Sequence, residues 1–120
     1  MSISYHVGDS DTRPWGTWEV LAVGENYIVK RIQVLPHKKL SLQSHHFRSE
    51  HWIIVSGQGM VTLDAENRVV HANEAVYINK EQKHRMENAS DESLTFIEVQ
   101  TGDTLDETDI VRYQDDYGRS

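Results

Sequence analysis

The feature that most constrains this chain is an apolar–polar alternation of period two, carried by short segments that recur every ~8–12 residues. Ile28, Ile32 and Val34 share one parity in a segment that runs from Tyr27 to about Leu35 and is ended by Pro36. Successive side chains of a strand point to opposite faces, so this pattern predicts a half-buried strand. Leu40 and Leu42 alternate with Ser41 and Gln43, and His51 to Val55 is a short apolar strand closed by Ser56-Gly57-Gln58-Gly59. Met60 to Asp64 and Arg68 to His71 bracket Ala65-Glu66-Asn67 and read as a hairpin. Ala75 to Ile78, Lys83 to Glu87 and Leu94 to Gln100 continue the series, which predicts an all-β sandwich or barrel.

No segment before Thr101 sustains a helical period. Residues 1–20, with Gly8, Pro14 and Gly16 among polar residues, read as an irregular arm that packs Trp15 and Trp18 onto something else. The barrel proper is expected over 27–100, with a C-terminal extension over 101–120. In that extension the carboxylates from Asp103 to Asp109 read as a solvated face with a helical turn, and Ile110 to Tyr113 as one more strand.

With 120 residues and 38% hydrophobic residues, the chain has material for one core and one domain. It contains no cysteine, which removes thiol nucleophiles, thiolate zinc sites and disulfide frameworks. Twelve Lys+Arg against nineteen Asp+Glu give a net charge of −7, the wrong sign for binding a phosphate backbone, and no local basic patch overrides it. Nucleic acid is therefore not expected as a partner. The amino terminus lacks a basic segment followed by an apolar one, and no apolar run approaches the ~18 residues of a membrane span. The expectation is a soluble, cytoplasmic protein that does not engage a membrane.

Seven histidines are present, and the placement of a few matters more than the number. Gln43 and His45 lie two apart and so point the same way, and Glu50 shares parity with Trp52 on the next strand. Neighbouring antiparallel strands can aim an amide oxygen, an imidazole and a carboxylate into one cavity, which His84 at the start of a later strand can close. Oxygen and nitrogen donors without thiolate suit zinc, manganese or ferrous iron. Lys30 lies in parity with Ile28 and Ile32, placing an ammonium on an apolar strand face at a cost that a partner must offset.

These residues resemble the cupin signature. Its first motif is His-x-His, three or four residues, Glu, six residues, Gly. The chain has Gln43-Ser44-His45, four residues, Glu50, six residues and Gly57. The second motif, Gly, five residues, Pro-x-Gly-x-x-His, three residues, Asn, is matched in register by Asn73, Asn79, Glu81, His84 and Asn88. A closer resemblance runs along nearly the whole chain. Arg13-Pro14-Trp15-Gly16, Leu40 to His46, Arg48 to Trp52, Ile97-Glu98-Val99-Gln100, Asp109 to Tyr113 and Tyr117-Gly118-Arg119 look like the type II phosphomannose isomerase cupin. In that family the domain is often fused behind a mannose-1-phosphate guanylyltransferase; here it is expected to stand alone, without nucleotidyl transfer.

The resemblance implies a cupin jelly-roll β-barrel and a metal-dependent aldose–ketose isomerase that interconverts mannose 6-phosphate and fructose 6-phosphate. It implies Gln43, His45, Glu50 and His84 as ligands, with zinc as the expected ion and manganese, cobalt or iron as alternatives. The related type I enzymes also present Gln-x-His and Glu to zinc and carry a basic residue two before the Glu, where Arg48 stands. Arg48 is cast as an electrostatic clamp, and Glu98 and His46 as candidates for the base. Lys30, with Lys39 and Arg112 behind it, is the candidate for phosphate contact, and a phosphorylated hexose is the expected partner. By analogy with other barrel cupins, a homodimer built through the terminal arm is expected. Phe47, in place of a third histidine, shares the parity of Gln43 and His45 and is expected to face the pocket, shrinking it. Phe47 and the altered second motif support one rival reading, a non-catalytic metal- or sugar-phosphate-binding cupin. Another rival is a ferrous dioxygenase, against which the Gln ligand argues.

Overall fold

The computed structural model describes residues 5–106 and 108–114. It contains eleven strands: β1 (Ser10–Arg13), β2 (Gly16–Gly24), β3 (Tyr27–Val34), β4 (Leu42–Ser44), β5 (Ser49–Ser56), β6 (Gln58–Leu63), β7 (Glu66–His71), β8 (Ala75–Ile78), β9 (His84–Glu87), β10 (Leu94–Thr101) and β11 (Val111–Gln114). No helix forms among the described residues, so none is long and apolar enough to cross a membrane. A six-stranded sheet, β1-β2-β3-β10-β5-β8, faces a five-stranded sheet, β11-β4-β9-β6-β7, and neighbouring strands are antiparallel throughout. The alternation predicted an all-β sandwich or barrel and the resemblance a jelly-roll barrel, which the two facing sheets form.

The reading of residues 1–20 as an irregular arm is corrected from Ser10 onward, residues 1–4 lying outside the described residues. β1 and β2 form a hairpin across Pro14-Trp15, with Arg13 opposite Gly16, and β2 continues the larger sheet beside β3. Pro14 and Gly16 make the turn rather than dissolve the strands. At Gly16, φ is +151°, and a Cβ there would collide with the carbonyl of Gln33, so the turn excludes a side chain. The two indoles pack inward: Trp15 is in the main core and Trp18 lies edge-on to Tyr5.

The inner face of the larger sheet changes character along its strands. Ile32, Phe96 and Ile54 stand side by side on β3, β10 and β5, all nearly inaccessible to water. One row on come Lys30, Glu98 and Trp52; one row further come Ile28, Gln100 and Glu50. Rows on one face are ~7 Å apart. The barrel is therefore a packed apolar core at one end, where each large buried side chain contributes ~1.5–3 kcal/mol, and a buried polar floor at the other.

Candidate metal centre

The polar end brings together residues from three separated segments. β4 carries Gln43 and leads into His45, β5 contributes Glu50, and β9 begins with His84, which pairs directly with Gln43. One potential ligand atom from each of His45, Glu50 and His84 lies within 4.8 Å of the other two, and all three residues are buried. His45 Nε2 is 3.3 Å from Glu50 Oε2, and His84 Nε2 is 3.8 Å from Glu50 Oε1.

The opposite ring nitrogens determine which atoms face the cluster. His45 Nδ1 lies 2.6 Å from the carbonyl oxygen of Asp109, and His84 Nδ1 lies 2.9 Å from that of Gln82. A carbonyl only accepts, so each ring carries its proton on Nδ1 and turns the Nε2 lone pair inward. Two imidazole lone pairs and a carboxylate thus converge, a set of acceptors that a divalent cation satisfies. Gln43 lines the same cavity, where its amide oxygen would make a fourth donor.

Arg48 spans the cluster. Its Nε donates to Glu50 Oε2 at 2.8 Å, and its Nη2 donates to His45 Nε2 at 3.2 Å. Burial pushes the Glu50 carboxyl up, but Arg48 and the two histidines outweigh it and hold the group well below the usual carboxylate range. Burial, reinforced by the charge of Arg48, lowers His45 to about 4. Glu98 goes the other way, raised to about 8 by burial and then by the charge of Glu50 and the hydrogen bond between the two carboxyls. One proton therefore sits between the pair, on Glu98. Trp52 Nε1 donates to Glu50 Oε1 at 3.0 Å and Glu98 Oε1 at 3.3 Å, and Gln100 Nε2 donates to Glu98 Oε2 at 2.9 Å.

A cavity of about 130 Å³ opens over this floor, and Arg13, Lys30, Arg48 and Arg112 all line it along with Trp15 and Trp18. Lys30 Nζ sits 4.3 Å from the centre of the Tyr5 ring and 4.4 Å from that of Trp18, which answers how its charge is accommodated on the inner face.

Of the expected site residues, Gln43, His45, Arg48, Glu50, His84, Glu98, Lys30 and Arg112 line this one cavity. His46 and Lys39 do not, and both are corrected. β4 ends at Ser44, so the parity argument stops there. The chain turns, and the His46 side chain is half exposed beside Glu81 at 3.7 Å. Lys39 lies outside the cavity lining, its backbone in an isolated antiparallel bridge with Glu87. The same turn sends Phe47 into solvent at 55% exposure, so it does not shrink the pocket.

The altered second motif also keeps its shape: Asn73 and Glu81 hold φ of 73° and 64°, the left-handed conformation for which the motif uses glycine. Sequence reasoning missed Asp109, which is buried rather than part of a solvated face. It also missed Arg13, Trp52 and Gln100 as parts of the site. The signal for Trp52 and Gln100 was parity with Glu50 and Glu98 on their own strands, and for Asp109 its position just before an apolar strand; Arg13 carried none. Tyr117-Gly118-Arg119 lie outside the described residues.

Comparison with known proteins agrees with this geometry. The mannose-1-phosphate guanylyltransferase ManC of Salmonella typhimurium is 43% identical over 96% of this chain. The alginate biosynthesis protein AlgA of Pseudomonas syringae is 46% identical over 90% of it. The chain spans about a quarter of the length of these relatives, 24% and 22% respectively. Among solved structures, a cupin 2 conserved barrel domain protein from Salinispora arenicola superposes with a TM-score of 0.64 at 24% identity, covering 70% of this chain and 73% of that one, a likeness of fold. The family described as mannose-6-phosphate isomerase C-terminal matches residues 3–115, so a barrel with this cluster at its polar end belongs to that family.

Proposed function

We propose that this barrel is a divalent-metal-dependent aldose–ketose isomerase that interconverts mannose 6-phosphate and fructose 6-phosphate. The observation that carries the reading is the meeting, in one cavity, of the His45–Glu50–His84 cluster with four cationic side chains and the neighbouring carboxyl of Glu98. A sugar phosphate combines a carbonyl for a metal, a dianion for the cations and an apolar ring face for the indoles. The names of the relatives place them in mannose-phosphate and polysaccharide biosynthesis, and family membership points to the isomerase.

Isomerisation moves a proton between C1 and C2 while negative charge develops on the neighbouring oxygen. An ion held by His45, Glu50 and His84, with Gln43 as fourth donor, polarises the sugar carbonyl when bound. In this reading the ionised form of Glu98 takes the proton from one carbon and returns it to the other. Its raised pKa makes its carboxylate a stronger base than an ordinary one and places its titration near neutrality, where a general base works best. Trp52 and Gln100 fix its two oxygens. Arg48 clamps the developing oxyanion, and Lys30 and Arg112, joined by Arg13, receive the phosphate.

The test is conversion of mannose 6-phosphate to fructose 6-phosphate by purified protein supplied with zinc, manganese or cobalt. Activity is expected to vanish under a chelator and in H84A, which also loses the metal. Sugar-phosphate binding without turnover in metal-loaded protein would overturn the isomerase and leave a binding module.

A further inference from the structure

His45 is borne by a poorly secured piece of chain. β4 has three residues and meets β9 at the single pair Gln43–His84, while on its other side it meets β11, with Val111 opposite Ser44 and Arg112 opposite Gln43. Beyond Ser44 the chain leaves the sheet and turns through His45 to Arg48. A ligand on such a turn has no ladder to fix its direction, so its aim must come from elsewhere.

It comes from Asp109. The carboxylate of Asp109 accepts two consecutive backbone amides of the turn, His46 N at Oδ1 (2.8 Å) and Phe47 N at Oδ2 (2.9 Å). The carbonyl of the same residue accepts Nδ1 of His45 at 2.6 Å. Asp109 N in turn donates to the carbonyl of Asp106 at 3.0 Å, and Tyr113 OH lies 2.9 Å from Ser44 Oγ, tying the segment to β4 at a second point. The residue is 7% exposed, so these bonds form where water competes little. One residue thus grips the turn by its backbone and the imidazole by its ring.

We infer that Asp109 is the positioning residue of the metal centre, fixing both the tautomer and the direction of His45 from the far end of the chain. The inference rests on the reading of His45 as a ligand, and the chemistry follows from the bonds. With Nδ1 protonated and held, the Nε2 lone pair points to Glu50 and His84. With the grip released, the ring is free to take the proton on Nε2 and present no lone pair to the ion. Outer partners of this kind change metal affinity ~10–100-fold when lost.

The experiment compares wild type, D109A, D109N and, as a control on an exposed neighbour, D103N. D109N keeps the size of the side chain but sets an amide NH2 against one of the two backbone amides, so it releases half the grip and decides the question if D109A fails to fold. Two readouts are taken: cobalt affinity by competition with a chelator, and the protonation of the His45 ring nitrogens in metal-free protein by long-range 15N–1H NMR. Wild type and D103N are expected to show His45 protonated on Nδ1 alone. D109N is expected to show mixed tautomers and cobalt binding ~10–100-fold weaker. Unchanged tautomer and unchanged affinity in D109N would overturn the inference. If wild type binds no cobalt, the metal reading fails, while the ring spectra still decide whether Asp109 orients His45.

Discussion

Glu50 and Glu98 share one hydrogen bond and one indole, yet they lie on opposite sides of the ordinary carboxylate range. Neighbouring charge decides between them: Arg48 bonds Glu50 directly, which leaves Glu98 to hold the proton. This has a measurable consequence for metal-free protein. Glu98, raised from 4.5 to about 8, binds a proton in the folded state that the unfolded chain releases, so its contribution to stability falls as pH rises between those values. His45, lowered from 6.5 to about 4, acts oppositely, its contribution growing as pH rises from about 4 to 6.5. The two oppose each other below pH 6.5, and above it the loss from Glu98 stands alone. Urea midpoints measured with chelator present should therefore fall between pH 6.5 and 8. In E98Q that fall should disappear, and an unaltered fall would count against Glu98 as its source.

At the scale of elements, the turn before β9 shows why part of the second motif was hard to read. Asn79 and Glu81 stand where the signature has Pro and Gly, residues that would set the turn. Glu81 nevertheless adopts φ of 64° and donates its amide to the carbonyl of His45 at 2.7 Å, so the backbone keeps the glycine shape at the expense of left-handed strain. E81G should relieve this strain and raise stability by ~1 kcal/mol, read as a shift in urea midpoint without loss of cobalt affinity. The ligands Gln43 and Glu50 were legible because they sit on strands where period two holds, and Glu98 for the same reason. Phe47 was misplaced because it follows the end of β4, where parity no longer assigns a side; His46, chosen for standing beside the ligands, turns outward with the same segment. The β1–β2 hairpin was missed because Pro14 and Gly16, which also mark irregular chain, here build a two-residue turn.

For the molecule as a whole, the alternation was enough to predict an all-β sandwich or barrel, since one buried face per strand leaves few other ways to close a core. It could not show that Asp109 reaches back onto the site, because that depends on contacts across more than sixty residues of sequence. A metal bound by the folded chain alone stabilises the whole barrel. At ~1000 times the dissociation constant the gain is ~4 kcal/mol, more than ~10 °C in Tm for a domain of this size. Calorimetry of wild type with and without cobalt should show that rise, and H84A should show none. The late position of Asp109 also sets an order of events during synthesis. The ribosome releases Gln43, His45, Glu50 and His84 well before the residue that turns the imidazole into place, so a nascent chain holds them with His45 unaimed. On the reading of His45 as a ligand, full ion affinity is expected only once Asp109 is in place.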